Sequence, residues 1–181
     1  DSGYFKPDDR MGAEIKNKEC LVNAYDNTIR YTDKFLYGLI QLLKNNAGYS
    51  AMLYTSDHGE DIFDNGSNAF LHSSPVPSYY QLHVPLLVWL SQEYCDKYKE
   101  IPQALNSNRM KFVSTSVSVF YSMLDIGGVS TNLNGSRHSF ADNRYIPGEI
   151  YFLNDHNSPK RLDEIRLSAP DRKMFNERVG K

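Results

Sequence analysis

Cysteine is scarce. Cys20 and Cys95 are the only two in 181 residues, and their separation matches no zinc-binding spacing. They are read as separate thiols, with a bridge between them, or from Cys20 to a partner upstream, as the alternative. Charge of one sign is also lacking. The formal net charge is -2 and Lys and Arg are scattered, which argues against a nucleic-acid partner. Long apolar runs are absent too. The longest, Val84–Leu90, falls well short of the ~20 residues of a membrane-spanning helix. There is no signal peptide and no initiating Met. The chain opens on Asp1-Ser2-Gly3, so it is expected to come from a longer protein whose targeting or membrane segments lie elsewhere. No Gly-x-Gly-x-x-Gly, Walker loop, Gly-x-Ser-x-Gly elbow or Cys-x-x-Cys occurs, which removes the common nucleotide, serine-hydrolase and thiol-redox chemistries.

What is present is the composition of a globular domain. Hydrophobic residues make up 40% of the chain, enough for one sizeable core. Residues 1–16 are polar and read as a connector. Leu21, Tyr25, Ile29, Thr32, Leu36, Leu39 and Leu43 recur at three- and four-residue steps, predicting an amphipathic helix from Lys18 to Asn45. Asn17 is its expected N-cap, and Asn45, Asn46 and Gly48 its stop. Asn27 and Asp33 fall beside the apolar stripe and read as a solvated face. Tyr49–Thr55 and His83–Leu90 are short apolar runs and read as buried parallel strands, with Trp89 in the core. Residues 61–81 read as a long irregular loop, interrupted by Asn65-Gly66, Pro75 and Pro77, and a loop of that length is usually functional. Ser91–Lys99 and Ser114–Ile126 read as helices, with a loop up to Asn108 between them. A third strand is expected at Gly148–Leu153, then a turn at Asn154–Asn157. The tail from residue 158 to 181 reads as either a terminal helix or a mobile segment. Alternating strands and helices argue for an α/β fold with a mainly parallel sheet.

The chemistry gathers at Thr55-Ser56-Asp57-His58-Gly59-Glu60, at the C-terminal end of the first strand, where ligands bind in open α/β sheets. A carboxylate and an imidazole side by side suit zinc or manganese. Gly59 permits a sharp turn beside them, and Glu60 and Asp61 add charge that favours a cation. The plain structural alternative is that Asp57 caps a following turn and His58 lies on the surface; the dipeptide alone favours it. His72 in the long loop is a candidate second-metal ligand, oxyanion stabiliser or general acid, or else a solvated histidine. His83 is either structural or a partner of a metal ligand. His138 reads as solvated, and His156 has no assigned role.

The order of segments adds to this. Asn23–Asp33 leads an apolar helix. Leu53–Glu60, Phe70-Leu71-His72 and His83–Leu90 follow in turn. Over residues 18–128 this series resembles the C-terminal half of the sulfatase family of the alkaline phosphatase superfamily, and most of all its bacterial lipid A phosphoethanolamine transferases. The resemblance implies a three-layer α/β/α sandwich, with residues 1–181 forming the C-terminal portion of the catalytic domain. It implies a zinc ion, with Mn2+ or Ca2+ as alternatives, held by a Glu, a nucleophilic Thr, an Asp and a His. The last two fall on Asp57 and His58. The family's loop histidine near the phosphate falls on His72, in the catalytic role. The implied donor is a phospholipid and the implied acceptor lipid A or a related glycan. The implied location is the periplasmic side of a bacterial inner membrane, held there by an N-terminal membrane domain. The Glu ligand and the Thr nucleophile are expected upstream of Asp1, so this chain alone is expected to bind zinc poorly and turn nothing over. A sulfatase or phosphoglycerol transferase of the same superfamily, a noncatalytic interaction module with a degenerate site, and a purely structural domain are the alternatives.

Overall fold

The structure is a computed structural model and describes residues 3–8, 12–72, 76–133, 135–153 and 158–179. The expected turn at Asn154–Asn157, with His156, lies outside the described residues. A short 3-10 turn at Ile15–Asn17 leads into helix α1, Lys18–Lys44. Asn17 does not cap this helix through its side chain. Its Nδ2 donates instead to the Gly12 carbonyl at 2.9 Å. At the other end the Asn45 N–H closes on the carbonyls of the last turn, as the stop signal predicts. Asn27 corrects its expected place on a solvated face. It is buried, its Oδ1 accepts the Phe5 N–H at 3.0 Å, and its Nδ2 donates to the Phe5 carbonyl and to Asp8. It fastens the N-terminal connector to α1. Asn27 is also the one residue of α1 that is buried, while Ile29, Phe35 and Leu42 on the same helix are exposed.

Strand β1 is Ala51–Thr55. Strands β2, Asp61–Ile62, and β3, Phe70–Leu71, form a small hairpin, followed by helix α2, Tyr79–Leu82, and strand β4, Leu86–Leu90. The two apolar runs are strands, as expected, but they pair with each other antiparallel, from Ala51 opposite Leu90 to Thr55 opposite Leu86. This corrects the parallel pairing read from their composition. A parallel return needs a long crossover, usually a helix. Between Thr55 and Leu86 the described helices are α2, of four residues, and a 3-10 turn at Asp64–Gly66. All three sheets among the described residues are two-stranded and antiparallel.

Helices α3, Gln92–Lys97, α4, Glu100–Asn108, and α5, Thr115–Ile126, follow. The loop expected before Asn108 is a helix because Pro102 falls in the first turn, where a proline needs no N–H and its fixed φ suits the helix. The tail forms strands β5, Tyr151–Leu153, and β6, Pro159–Arg161, then helix α6, Ala169–Val179. The Asp171 carboxylate anchors α6, accepting from Asn65 Nδ2 at 3.0 Å and from the Tyr79 N–H at 3.1 Å.

The core lies on one face of the β1–β4 pair. Leu86, Val88 and Leu90 alternate onto that face, opposite Leu53, and pack against Tyr94, Ile101, Ile126, Phe140 and Tyr145. Several polar groups inside the core bond to backbone. Tyr94 Oη donates to the Ile126 carbonyl at 2.6 Å, and Ser122 Oγ accepts the Phe140 N–H at 2.9 Å. Trp89 is half-buried on the other face, opposite Met52. His138 corrects its solvated assignment: its ring lies beside Tyr121 and its Nδ1 is buried without a hydrogen-bond partner.

Candidate metal centre

The chain leaves β1 at Thr55 and turns at once. Ser56 Oγ donates to the His58 carbonyl at 2.7 Å, and Asp57 Oδ1 accepts the His58 N–H at 3.0 Å. Gly59 is obligatory at the next position. A Cβ there would stand 2.0 Å from the Tyr80 carbonyl oxygen, and the Gly59 N–H donates to the Gln81 carbonyl at 2.9 Å. Glu60 follows and β2 begins.

The hairpin then returns a second histidine to the same point. Asp61 lies opposite Leu71, so the next residues outward, Glu60 and His72, face each other. His72 Nδ1 lies 3.0 Å from Glu60 Oε1 and 3.1 Å from Oε2. Leu71, just before His72, holds a left-handed φ of 66°. For a non-glycine residue that costs on the order of 1–3 kcal/mol, which surrounding structure must hold in place. The rings of His58 and His72 have centroids 3.9 Å apart, inclined at 35°. His58 Nδ1 is 3.1 Å from the Gly59 carbonyl and 3.8 Å from Glu60 Oε1. With its proton on Nδ1 toward that carbonyl, Nε2 presents a lone pair.

His58, Glu60 and His72 can each offer one ligand atom such that all three lie within 4.8 Å of one another. They are the one such group among the described residues. Ligand atoms around a tetrahedral zinc stand ~3.3 Å apart, given bonds near 2.0 Å, so a small closure brings them to bonding positions. Two imidazoles and a carboxylate are a donor set of catalytic zinc sites, which keep a fourth position open. The residues present therefore fit the metal.

Asp57, expected as a ligand, lies beside this group and outside it. Its side chain is 88% exposed, with Oδ2 3.8 Å from His58 Nε2. The His58 N–H, and then the His58 ring, hold its carboxyl below the usual range, so it stays ionised beside the centre. Glu60 was legible only as background charge, although its position opposite His72 follows once the hairpin is recognised. Asp61, grouped with it in sequence, is buried and turned away. Its Oδ2 accepts from Gln81 Nε2 at 2.5 Å, and burial pushes its carboxyl up. Tyr25 of α1 reaches the surroundings of the centre. Burial first, and then the Glu60 charge, raise its hydroxyl pKa. His83 is exposed and stacks on Tyr79 at 4.8 Å, and it is not a member of the group of three.

A family model described as Sulfatase matches residues 4–129. Phosphoethanolamine transferase EptA of Salmonella typhimurium is 38% identical over 125 residues, 65% of this chain and 22% of that protein. The C-terminal periplasmic domain of phosphoethanolamine transferase EptC from Campylobacter jejuni superposes with a TM-score of 0.67 at 27% identity, covering 80% of this chain and 46% of that domain. The corresponding Escherichia coli EptC domain, solved in complex with Zn, has a TM-score of 0.67 at 20% identity over 99% of this chain and 47% of that one. The chain thus spans about a fifth of the Salmonella relative and under half of the solved domains. The fold is the α/β architecture of alkaline-phosphatase type, with the pairing of β1 and β4 antiparallel.

Proposed function

The chain belongs to the sulfatase family, and from that premise we propose that it is the C-terminal portion of the catalytic domain of a zinc-dependent transferase. The group moved is phosphoethanolamine, from a phospholipid donor to lipid A or a related glycan, on the periplasmic side of a bacterial inner membrane. The observation that carries this reading is the preformed His58–Glu60–His72 cluster at the C-terminal end of β1, inside the family match.

When bound, the metal supplies a Lewis acid for a phosphate oxygen and lowers the pKa of a coordinated hydroxyl. His58 would hold it through Nε2, with the ionised Asp57 carboxylate beside that nitrogen. Glu60 fixes the tautomer and direction of His72 through Nδ1. The other ring nitrogen would then serve either as a metal donor or to stabilise charge on the phosphate and protonate the leaving oxygen. We place the Thr nucleophile, which takes up the phosphoethanolamine group covalently, and a further Glu ligand upstream of residue 1. The membrane attachment is placed there too. No helix among the described residues is long and apolar enough to cross a membrane.

The test is zinc content per mole and transfer of labelled phosphoethanolamine to lipid A by the protein that carries this chain. His58→Ala should lose both; full transfer with zinc retained overturns the reading. The isolated 181-residue chain should cleave no phosphodiester, and cleavage that His58→Ala abolishes would show that no outside nucleophile is needed. Release of sulfate from an ester, in place of transfer, would assign the sulfatase chemistry of the same family.

A further inference from the structure

We propose that Gln81, a buried residue of α2, is the positioning residue that holds His58, Glu60 and His72 in register. It deepens the function proposed above and rests on that reading of the centre. Three of the hydrogen bonds of Gln81 go to residues next in sequence to a member of the centre. Its carbonyl accepts the Gly59 N–H at 2.9 Å, between His58 and Glu60. Its Nε2 donates to Asp61 Oδ2 at 2.5 Å, directly after Glu60. The same nitrogen donates to the Leu71 carbonyl at 3.2 Å, directly before His72.

One side-chain amide therefore ties both strands of the β2–β3 hairpin, and its backbone ties the turn that leaves β1. The strands are two residues each and cannot fix the hairpin by pairing alone. α2 is itself secured, with the Gln81 N–H bound to Ser78 Oγ at 3.2 Å and Gly59 pressed against the Tyr80 carbonyl. The chemistry demands this residue type. Asp61 and the Leu71 carbonyl are both acceptors, so the position needs two donors on one nitrogen. Glutamate would place a third acceptor against them. Methionine fills the same space and supplies no donor, so the Leu71 carbonyl and the Asp61 carboxylate, 1% exposed and with Oδ1 already unpartnered, each lose the bond from Gln81.

Gln81 touches no substrate in this scheme and acts through Gly59, Asp61 and Leu71. In the wild-type 181-residue chain its side-chain amide protons should exchange slowly with solvent; exchange at the free-amide rate overturns the proposal, with no variant required. In Gln81→Met, the nuclear Overhauser contact between the His58 and His72 rings should disappear, whereas Tyr145→Phe, a destabilising change in the core, should keep it. A Co2+ absorption titration is the second readout. Gln81→Met should weaken binding about 10–100-fold relative to wild type, the usual consequence of removing an outer partner of metal ligands. A folded Gln81→Met chain that keeps the ring contact overturns the assignment. Wild type that shows the ring contact but binds no Co2+ counts against the metal reading alone, because the ring contact tests Gln81 without metal.

Discussion

Around Phe140, side chains from α3, α4, α5 and residues 139–145 close on one face of the β1–β4 pair, and the polar groups among them mostly bond to backbone. Around His58, a short turn and a two-by-two-residue hairpin carry three ionisable groups at a half-exposed surface, held by single hydrogen bonds. The first region is stabilised by apolar area removed from water and by packing density. The second carries a left-handed Leu71, a glycine in backbone contact with α2 and a buried carboxylate with an unpartnered oxygen. Buried unpartnered atoms occur on both sides, Asn108 Oδ1 beside Phe140 among them, but left-handed non-glycine backbone and a glycine forced against a carbonyl gather beside the three ionisable groups, where structure is maintained for chemistry. The contrast makes stability and metal binding separable, and each substitution below tests that separation.

The largest effect is expected at His58. His58→Ala should remove all retained zinc and all transfer while shifting unfolding free energy by no more than about 0.5 kcal/mol, as for a partly exposed side chain outside a core. Metal analysis beside urea denaturation measures both, and a large loss of stability would break the contrast. Next is Phe140→Ala, which should cost about 3–5 kcal/mol, the usual range for a buried phenylalanine. Co2+ affinity of the protein that remains folded should stay at the wild-type value. Third is Gly59→Ala, where the two regions meet. Its Cβ collides with the Tyr80 carbonyl, so α2 or the turn has to move. A cost of about 1–3 kcal/mol is expected, together with weakened Co2+ binding, because His58 and Glu60 flank the displaced residue. Weakened Co2+ binding without any stability loss would mean that the turn moves freely and α2 does not brace it.

The same contrast explains what was legible beforehand. α1, β1, β4 and α5 follow from apolar runs and periodicity, although burial departs from the pattern: Asn27 is the buried residue of α1, and Ser118 and Ser122 are buried with Ile126 in α5. α4 was hidden by Pro102, a breaker in most positions and harmless in a first turn. The antiparallel return of β4 was hidden because a short continuous apolar run carries no signal of its direction. Asp57, His58 and His72 were visible as residue types in family order. The pairing of Glu60 with His72 was not, since it depends on a hairpin whose strands are too short to show alternation. Asn65-Gly66 was its one local signal, and left-handed φ at Phe63, Asn65 and Gly66 bears out a turn there. Gln81 gave no signal at all, because a buried amide is defined by its partners and they are distant in sequence.

The smallest effect tests the core side alone. Tyr145 is 2% exposed, and its hydroxyl donates to the Phe112 carbonyl at 2.7 Å beside Ser118 Oγ at 3.3 Å. Tyr145→Phe keeps the ring and should cost about 1 kcal/mol at neutral pH, the net worth of a typical hydrogen bond. Burial raises the Tyr145 pKa above its ordinary value of 10.0, with Ser118 offsetting part of the rise. The folded state therefore holds the phenolic proton more tightly than the unfolded chain does. That contribution is fully present below the unfolded pKa and is lost as pH rises through the folded one. The stability difference between wild type and Tyr145→Phe should accordingly be constant from neutral pH to about 9, then narrow above 10. Urea denaturation at successive pH values measures it. A difference that persists undiminished as the tyrosines ionise would show that Tyr145 ionises in place, with water already reaching its hydroxyl. The Phe140 side would then be as open to solvent at that point as the His58 side is by design.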